Sequence, residues 1–395
     1  MLVAKRFEVF FERFLAKSYA AVLWFLLGLT AVVLELIRNS INNYQIFKGV
    51  FTHTIEQVNL YAQYPQLYDD SNHYGPLFSL VIAPFALLPD YIGVVLWALL
   101  NVFVLYKAIN YLPINKLQKN AILLIGAIEM MTAIHNVQIN PSITALLIFS
   151  YVLVRNEKDF LACLCILLGF YIKLYGIIGL VFWVFSKHKI KFIGYFILCA
   201  VLLFVLPMII SSPEFIVQSY LDWYHSLAEK VVKNESNYDS NMQNISVAGM
   251  VERIFNLKNF SGFFILIPAA ILYLLPLLRF KQYDSEKFRL LMLASTLLFP
   301  VLFSSSSESS TYVIAVTGFA LWYVLQPSPK TMGNIALLIF VLLVTCLSNT
   351  DLVPRYFKMN MVRPYALKAL PCFVIWLIII YQLLVVNFTK EKQKI

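Results

Sequence analysis

Apolar runs recur along the whole chain, separated by short polar breaks. Runs at residues 19–37, 91–112, 121–134, 142–154, 192–210, 262–278, 290–303, 311–325, 331–348 and 367–386 read as helical spans. A lipid-crossing segment has to be helical here, because hydrocarbon offers the backbone no hydrogen-bond partner. Two further runs, 160–172 and 175–185, are short of a full span and meet at Lys173. They read as a hairpin reaching partway, with a polar tip. Residues 76–89 either cross or re-enter. Re-entry places Lys116 and Lys119 on the cytoplasmic side, as the positive-inside rule prefers. The pattern predicts an all-α polytopic membrane protein, a single domain over 1–395 with about twelve transmembrane helices and both termini cytoplasmic.

Composition sharpens this picture. Hydrophobic residues make up 60% of the 395 and charged residues 13%, against about 25% charged in a soluble domain. The formal net charge of +10 fits cytoplasmic loops of a plasma or inner membrane protein better than nucleic-acid binding. Lys5, Arg6, Arg13 and Lys17 precede the first run, which reads as a retained span rather than a cleaved signal. The five cysteines fall in or beside apolar runs, the place of packing residues. No Walker lysine motif or zinc spacing occurs, so neither a nucleotide motor, a bound metal nor another cofactor is expected.

Polar chemistry gathers in the segments assigned to the outer face: 38–75, 211–261, 349–366 and the tip "SSSSESS". Ionisable groups near the membrane are functional candidates. "YDDSNHYGPLF" sets Asp69, Asp70 and His73 just before an apolar run; the carboxylates read either as helix caps or as chemistry, and His73 as an interface or a site residue. Asn43, "HNVQIN" with Asn136, Gln138 and Asn140, and "NMQNISV" with Asn244 and Ser246 add amides and hydroxyls suited to a sugar. Glu308 stands alone among serines. The segment "NTDLVPRYFKMNMVRPYALK" breaks the charge rule with Arg355, Lys358, Arg363 and Lys368 against Asp351. It reads as a site for a lipid phosphate or as a loop resting on anionic headgroups. Glu35 is expected to pair with Arg38, and Glu129 within the bundle.

The stretch "NLYAQYPQLYDDSNHYGPLFSLVIAPFALLPDYIGVVLWALLN", the segment "VQINPSITALLI" with the lysine hairpin "LACLCILLGFYIKLYGIIGLVFW", and "NISVAGMVERI" together resemble glycosyltransferase family 87. The resemblance runs from about Asn42 to Pro371. It implies a GT-C type helical bundle with its active site at the outer face, a polyprenyl-phosphate sugar donor (often mannose), and inverting transfer to a lipid-linked or glycan acceptor. The implied partners are that donor, the acceptor and membrane lipids, with no nucleic acid. It also implies a carboxylate base shortly after the first span. Here that place reads "NNYQIF", so Asn42 or Asn43 stands where the acid is expected.

An amide is no base at neutral pH, so Asp70, or Asp69, is expected to supply the carboxylate, partly buried and so a better proton acceptor. Glu308 is the second candidate. On the same reading Arg355, Arg363, Lys358 and Lys173 meet the donor phosphate. Asn43, His73, Asn136, Gln138, Asn140, Asn244 and Ser246 hold sugar or acceptor hydroxyls. A transporter or flippase, and an inactive subunit of the same fold, remain open alternatives.

Overall fold

The computed structural model describes residues 19–236, 243–257 and 260–389. The basic residues Lys5, Arg6, Arg13 and Lys17 lie outside them. Among the described residues all regular structure is helical. Five helical stretches are long and apolar enough to cross a membrane: Tyr19–Ile37, Asp90–Tyr111, Lys116–His135, Lys189–Ile209 and Met332–Asn349. Six shorter apolar helices of 10–17 residues accompany them. The polytopic, all-helical expectation therefore holds.

In chain order the helices are α1 (Tyr19–Ile37), α2 (Asn42–Glu56), α3 (Phe78–Ala86), α4 (Asp90–Tyr111), α5 (Lys116–His135), α6 (Asn140–Arg155) and α7 (Asp159–Ile172). A 3₁₀ helix, Leu174–Phe185, comes next. Then follow α8 (Lys189–Val205), α9 (Pro213–Ser236), α10 (Val247–Phe255), α11 (Phe263–Leu274), α12 (Glu286–Phe303), α13 (Tyr312–Leu325), α14 (Met332–Phe340) and α15 (Ala369–Val385). The chain forms two compact units. Of the described residues, one unit holds 24–113 and 130–230; the other holds 19–23, 114–129, 231–236, 243–257 and 260–389.

In the first unit the polar segment 38–75 is not all loop. Its first half is helix α2, whose buried face carries Tyr44, Phe47, Val50 and Phe51. Its polar letters hid a face of helical period. Helix α3 has nine residues with Pro84 inside. At 1.5 Å per residue it rises only about 14 Å, less than half a hydrocarbon core of ~30 Å. Residues 76–89 therefore do not cross as one helix. Helix α4 begins after Pro89, with Asp90 in its first turn where the helix dipole favours an anion, and Lys48 donates to Asp90 at 2.7 Å.

The expected lysine hairpin is present. Helix α7 and the 3₁₀ helix flank Lys173, whose backbone is extended (φ −153°, ψ 99°). The two arms meet at glycines: a Cβ on Gly176 would lie 2.3 Å from the Gly169 carbonyl carbon. Only the missing side chain permits that approach.

In the second unit α12 is buried along most of its length and packs against α13 and α15. Trp376 Nε1 donates to Ser295 Oγ at 3.0 Å, and Tyr273 pairs with Thr296 at 2.8 Å. Such interhelical bonds contribute roughly 0.6 kcal/mol each in a membrane bundle.

Candidate active site

The first unit carries a polar arrangement built where α2, the 59–75 segment, the α5–α6 turn and the hairpin tip meet. Asn42 is one of the two amides, with Asn43, at the place where an acid was expected. Its side-chain Nδ2 donates to the Asp69 carbonyl at 2.9 Å, and its Oδ1 accepts from the Asp69 amide at 2.8 Å. The amide thus clasps both polar groups of one peptide residue. Asp69 and Asp70 are thereby held next to the start of α2, 27 residues away in sequence. Asp70 adopts φ 73°, a left-handed turn that Asp tolerates better than most residues. Neither carboxylate caps a helix, since α3 starts at Phe78 after Leu77 with no side-chain cap. Both are exposed, so the expected partial burial is corrected: Tyr68 turns inward and the two acids that follow it stay at the surface.

Asn43 Nδ2 donates to the Asn136 carbonyl at 2.8 Å, tying α2 to the end of α5. There the chain turns through Val137 at φ 51°. The Gln138 amide bonds to the Ala133 carbonyl and the Val137 amide to Ile134, the helix-ending pattern usually made with glycine. A β-branched residue in that conformation is strained. Its carbonyl is pinned by Trp97 Nε1 at 3.2 Å. The turn brings Gln138 and Asn140 to the same region.

Gln138 Oε1 accepts from the Tyr74 hydroxyl at 2.5 Å, and Asn140 Oδ1 accepts from Lys173 Nζ at 2.8 Å. The ammonium also lies 5.9 Å from the Tyr74 ring centroid and 5.2 Å from that of Tyr175, within cation–π range. The amide of Gly75 donates to the Ile172 carbonyl at 3.3 Å, fixing the 59–75 segment to the hairpin. Lys173 and Asn140 are thus in direct contact, and Tyr74 links Gln138 to the same ammonium, whereas the Asn136 side chain donates back to the Thr132 carbonyl at 2.8 Å. Tyr74 is a residue that sequence reasoning missed, although it stands in "HYGP" beside His73.

His73 faces another way. Its Nδ1 is 3.0 Å from Ser226 Oγ, and its carbonyl accepts from Trp223 Nε1 at 3.0 Å. It docks α9 onto the 59–75 segment. Beneath the segment His53 stacks on Tyr64 at 4.1 Å between ring centroids. Burial lowers the His53 pKa, with Glu56 opposing, and burial pushes the Tyr68 phenol up to about 12. Glu35, expected beside Arg38 and found 3.7 Å from it, has a closer partner in His135 at 2.8 Å.

The second unit holds the other candidates. The Glu308 carboxylate accepts from the Thr311 amide in a reciprocal capping box. Asn244 and Ser246 are buried and bonded to each other at 2.7 Å, and Ser246 Oγ caps α10 through the Gly249 amide at 3.1 Å. Arg355 is exposed. Arg363 lies against Met359 Sδ at 3.8 Å, and Lys358 donates to the Asn349 carbonyl at 3.2 Å. Lys368 departs from the basic segment altogether. It turns inward to Glu129, donating to the two carboxylate oxygens at 2.8 and 3.0 Å. Among the described residues no three His, Cys, Asp or Glu side chains gather as metal ligands would.

The family model of glycosyltransferase family 87 matches residues 72–305. That region contains His73, Tyr74, Asn136, Gln138, Asn140, Lys173, Asn244 and Ser246. It begins just after Asp69–Asp70 and ends just before Glu308. No curated protein matches the chain.

Proposed function

The chain belongs to glycosyltransferase family 87, and is therefore a membrane glycosyltransferase; from that premise we propose that it moves a hexose, with mannose the first choice, from a polyprenyl-phosphate donor to a hydroxyl of a lipid-linked or glycan acceptor, with inversion, on the non-cytoplasmic face. The base of this reading is Asp70, with Asp69 as the alternate. The observation that carries the assignment is the clasp of Asn42 on both backbone polar groups of Asp69. It sets two carboxylates beside the position where the resemblance led us to expect an acid. The carboxylate takes the acceptor proton while the acceptor oxygen bonds to the anomeric carbon. The bond to the donor phosphate breaks on the opposite face, and polyprenyl phosphate leaves.

Lys173 is the cation assigned to the leaving phosphate. Its ammonium is oriented by Asn140 and by two ring faces, and a fixed cation stabilises charge as it develops. Asn43, Asn136, Gln138 and Asn140, with His73 at the edge, are assigned to sugar or acceptor hydroxyls. Within the other unit Arg355, Lys358 and Arg363 are assigned to a lipid phosphate. Asn244 and Ser246 shape the turn before α10. Glu308 ranks behind Asp70 because the Thr311 amide already engages its carboxylate.

The test is incubation of the purified protein with several polyprenyl-phosphate sugars and a lipid extract, read by mass spectrometry. Transfer is expected from one donor, and Asp70→Asn is expected to fold yet lose transfer. A fully active Asp70→Asn beside a dead Glu308→Gln overturns the base assignment. Vesicles that move a lipid-linked glycan with no product overturn the transferase reading itself.

A further inference from the structure

A buried ion pair in the second unit has no role in the chemistry above. Glu129, on α5, is fully buried and Lys368 is 2% exposed. Taking two charges out of water is costly, and an apolar pair of similar size often serves stability as well or better. The stability of the unit is therefore a poor reason for the pair.

The ammonium's other contacts supply a better one. Besides Glu129, Lys368 Nζ donates to Ser309 Oγ at 2.8 Å and approaches the Ser309 carbonyl at 3.3 Å. The ring of Tyr312 lies 4.9 Å away. Ser309 Oγ also accepts from Asn349 Nδ2. The carbonyl of Asn349 in turn accepts from Lys358. Thr345 Oγ1 donates to the Lys368 carbonyl at 2.9 Å, holding the lysine's own backbone. One continuous ladder thus runs from a buried carboxylate to the residue directly after Glu308, and on to a cation of the basic segment. The turn carrying Glu308 and the segment carrying Lys358 are 40 residues apart at the Asn349–Ser309 rung.

We propose that the Glu129–Lys368 pair is a positioning device: by gripping Ser309 it holds the Glu308 turn and the Asn349–Lys358 stretch in one fixed relation, ready for an anionic, hydroxyl-rich lipid substrate. The kinetic part of this proposal rests on the transferase reading. Lys368 is a positioning residue, since it acts through Ser309. A lysine is suited to the task because its three donors are distributed between a buried anion and a hydroxyl, and releasing it would leave the buried carboxylate either bare or obliged to take up a proton.

The test uses the full chain in lipid nanodiscs, with spin labels at Ser306 and Tyr356 to read the distance between turn and segment. Lys368→Met alone strands Glu129 and is expected to misfold. The informative variants are Ser309→Ala and the double Glu129→Gln/Lys368→Met, which removes both charges. In the wild type the label distance is expected to be single and narrow. In both variants it is expected to broaden, while the double variant keeps the wild-type melting temperature. Transfer with the donor identified for the wild type is expected to fall by about 10²-fold, the loss that accompanies a displacement of ~1 Å. Unchanged label distances in both variants overturn the proposal. Broadened distances with unchanged transfer rates also overturn it, because the ladder then positions nothing the reaction uses. A wild type inactive on every donor sinks the transferase reading, and the distances still decide the ladder.

Discussion

The crossing of the lysine hairpin offers a quantitative test, because a methyl group there has nowhere to go. In Gly176→Ala the new Cβ would stand 2.3 Å from both the Gly169 carbonyl carbon and the Phe170 nitrogen. Ordinary contact starts at 3.4 Å, so the arms must part by about 1.1 Å. Both obstacles are backbone atoms, so no side-chain rotation relieves them. Overpacking of this kind costs roughly 1–3 kcal/mol, and backbone obstacles place it at the upper end.

The displacement does not stay local. The amide of Lys173 hangs on the Gly169 carbonyl at 2.9 Å. Opening the arms therefore moves the ammonium relative to Asn140, now 2.8 Å away. A shift of ~1 Å in a catalytic group costs about 10²-fold in rate. The assay is a melting curve of the purified protein together with single-turnover transfer. Gly194→Ala is the control, since nothing lies within 4 Å of its Cβ and alanine in a helix interior gains roughly 0.5–1 kcal/mol over glycine. A Gly176→Ala protein that melts and transfers like the wild type, or no worse than Gly194→Ala, would refute the geometry of the crossing.

Further outcomes follow from the same site. Lys173→Met is expected to lower the transfer rate by about 10²–10³-fold, as removal of one charge-stabilising donor does, with little change in melting temperature; stopped-flow product formation checks it. Asn42→Ala removes two bonds to Asp69 and is expected to cost about 1–3 kcal/mol at ~0.5–1.5 kcal/mol per bond, read by faster amide exchange at residues 68–70. His53 is held neutral by burial, with its pKa below the ordinary value. The unfolded chain therefore binds more protons just below pH ~6.5, so stability falls as pH drops from there toward the folded pKa, then levels off. Melting temperature against pH should show that step, and His53→Phe should remove it.

Much of the fold was legible in the letters. The α1 span coincides with the run read at 19–37, and Asp90–Tyr111 with the run read at 91–112, because crossing lipid demands an apolar stretch of known length. Helix α2 was not legible in the same way. Its polar residues Asn42, Asn43, Gln45 and Lys48 mask a buried stripe of Tyr44, Phe47, Val50 and Phe51, which only packing reveals. Lys368 shows the reverse error. It counted with its neighbours as an outer cation, yet its partner Glu129 stands 239 residues away. Tyr74 went unnoticed because one aromatic in a chain with 23 tyrosines carries no signal until the position of Lys173 gives its ring a neighbour.

By itself the sequence determined that this chain is helical, membrane-embedded and punctuated by polar segments, because those properties depend on run length, hydropathy and charge, which are sums over neighbours in the chain. It also supplied the amides, carboxylates and cations of the proposed site. Tertiary structure alone decided which of them meet: that Asn42 clasps Asp69, that Lys173 rests on Tyr74 and Asn140, and that Lys368 turns to Glu129. Hydrogen bonds and ion pairs act over about 3 Å, and which residues come that close is set by how distant helices pack.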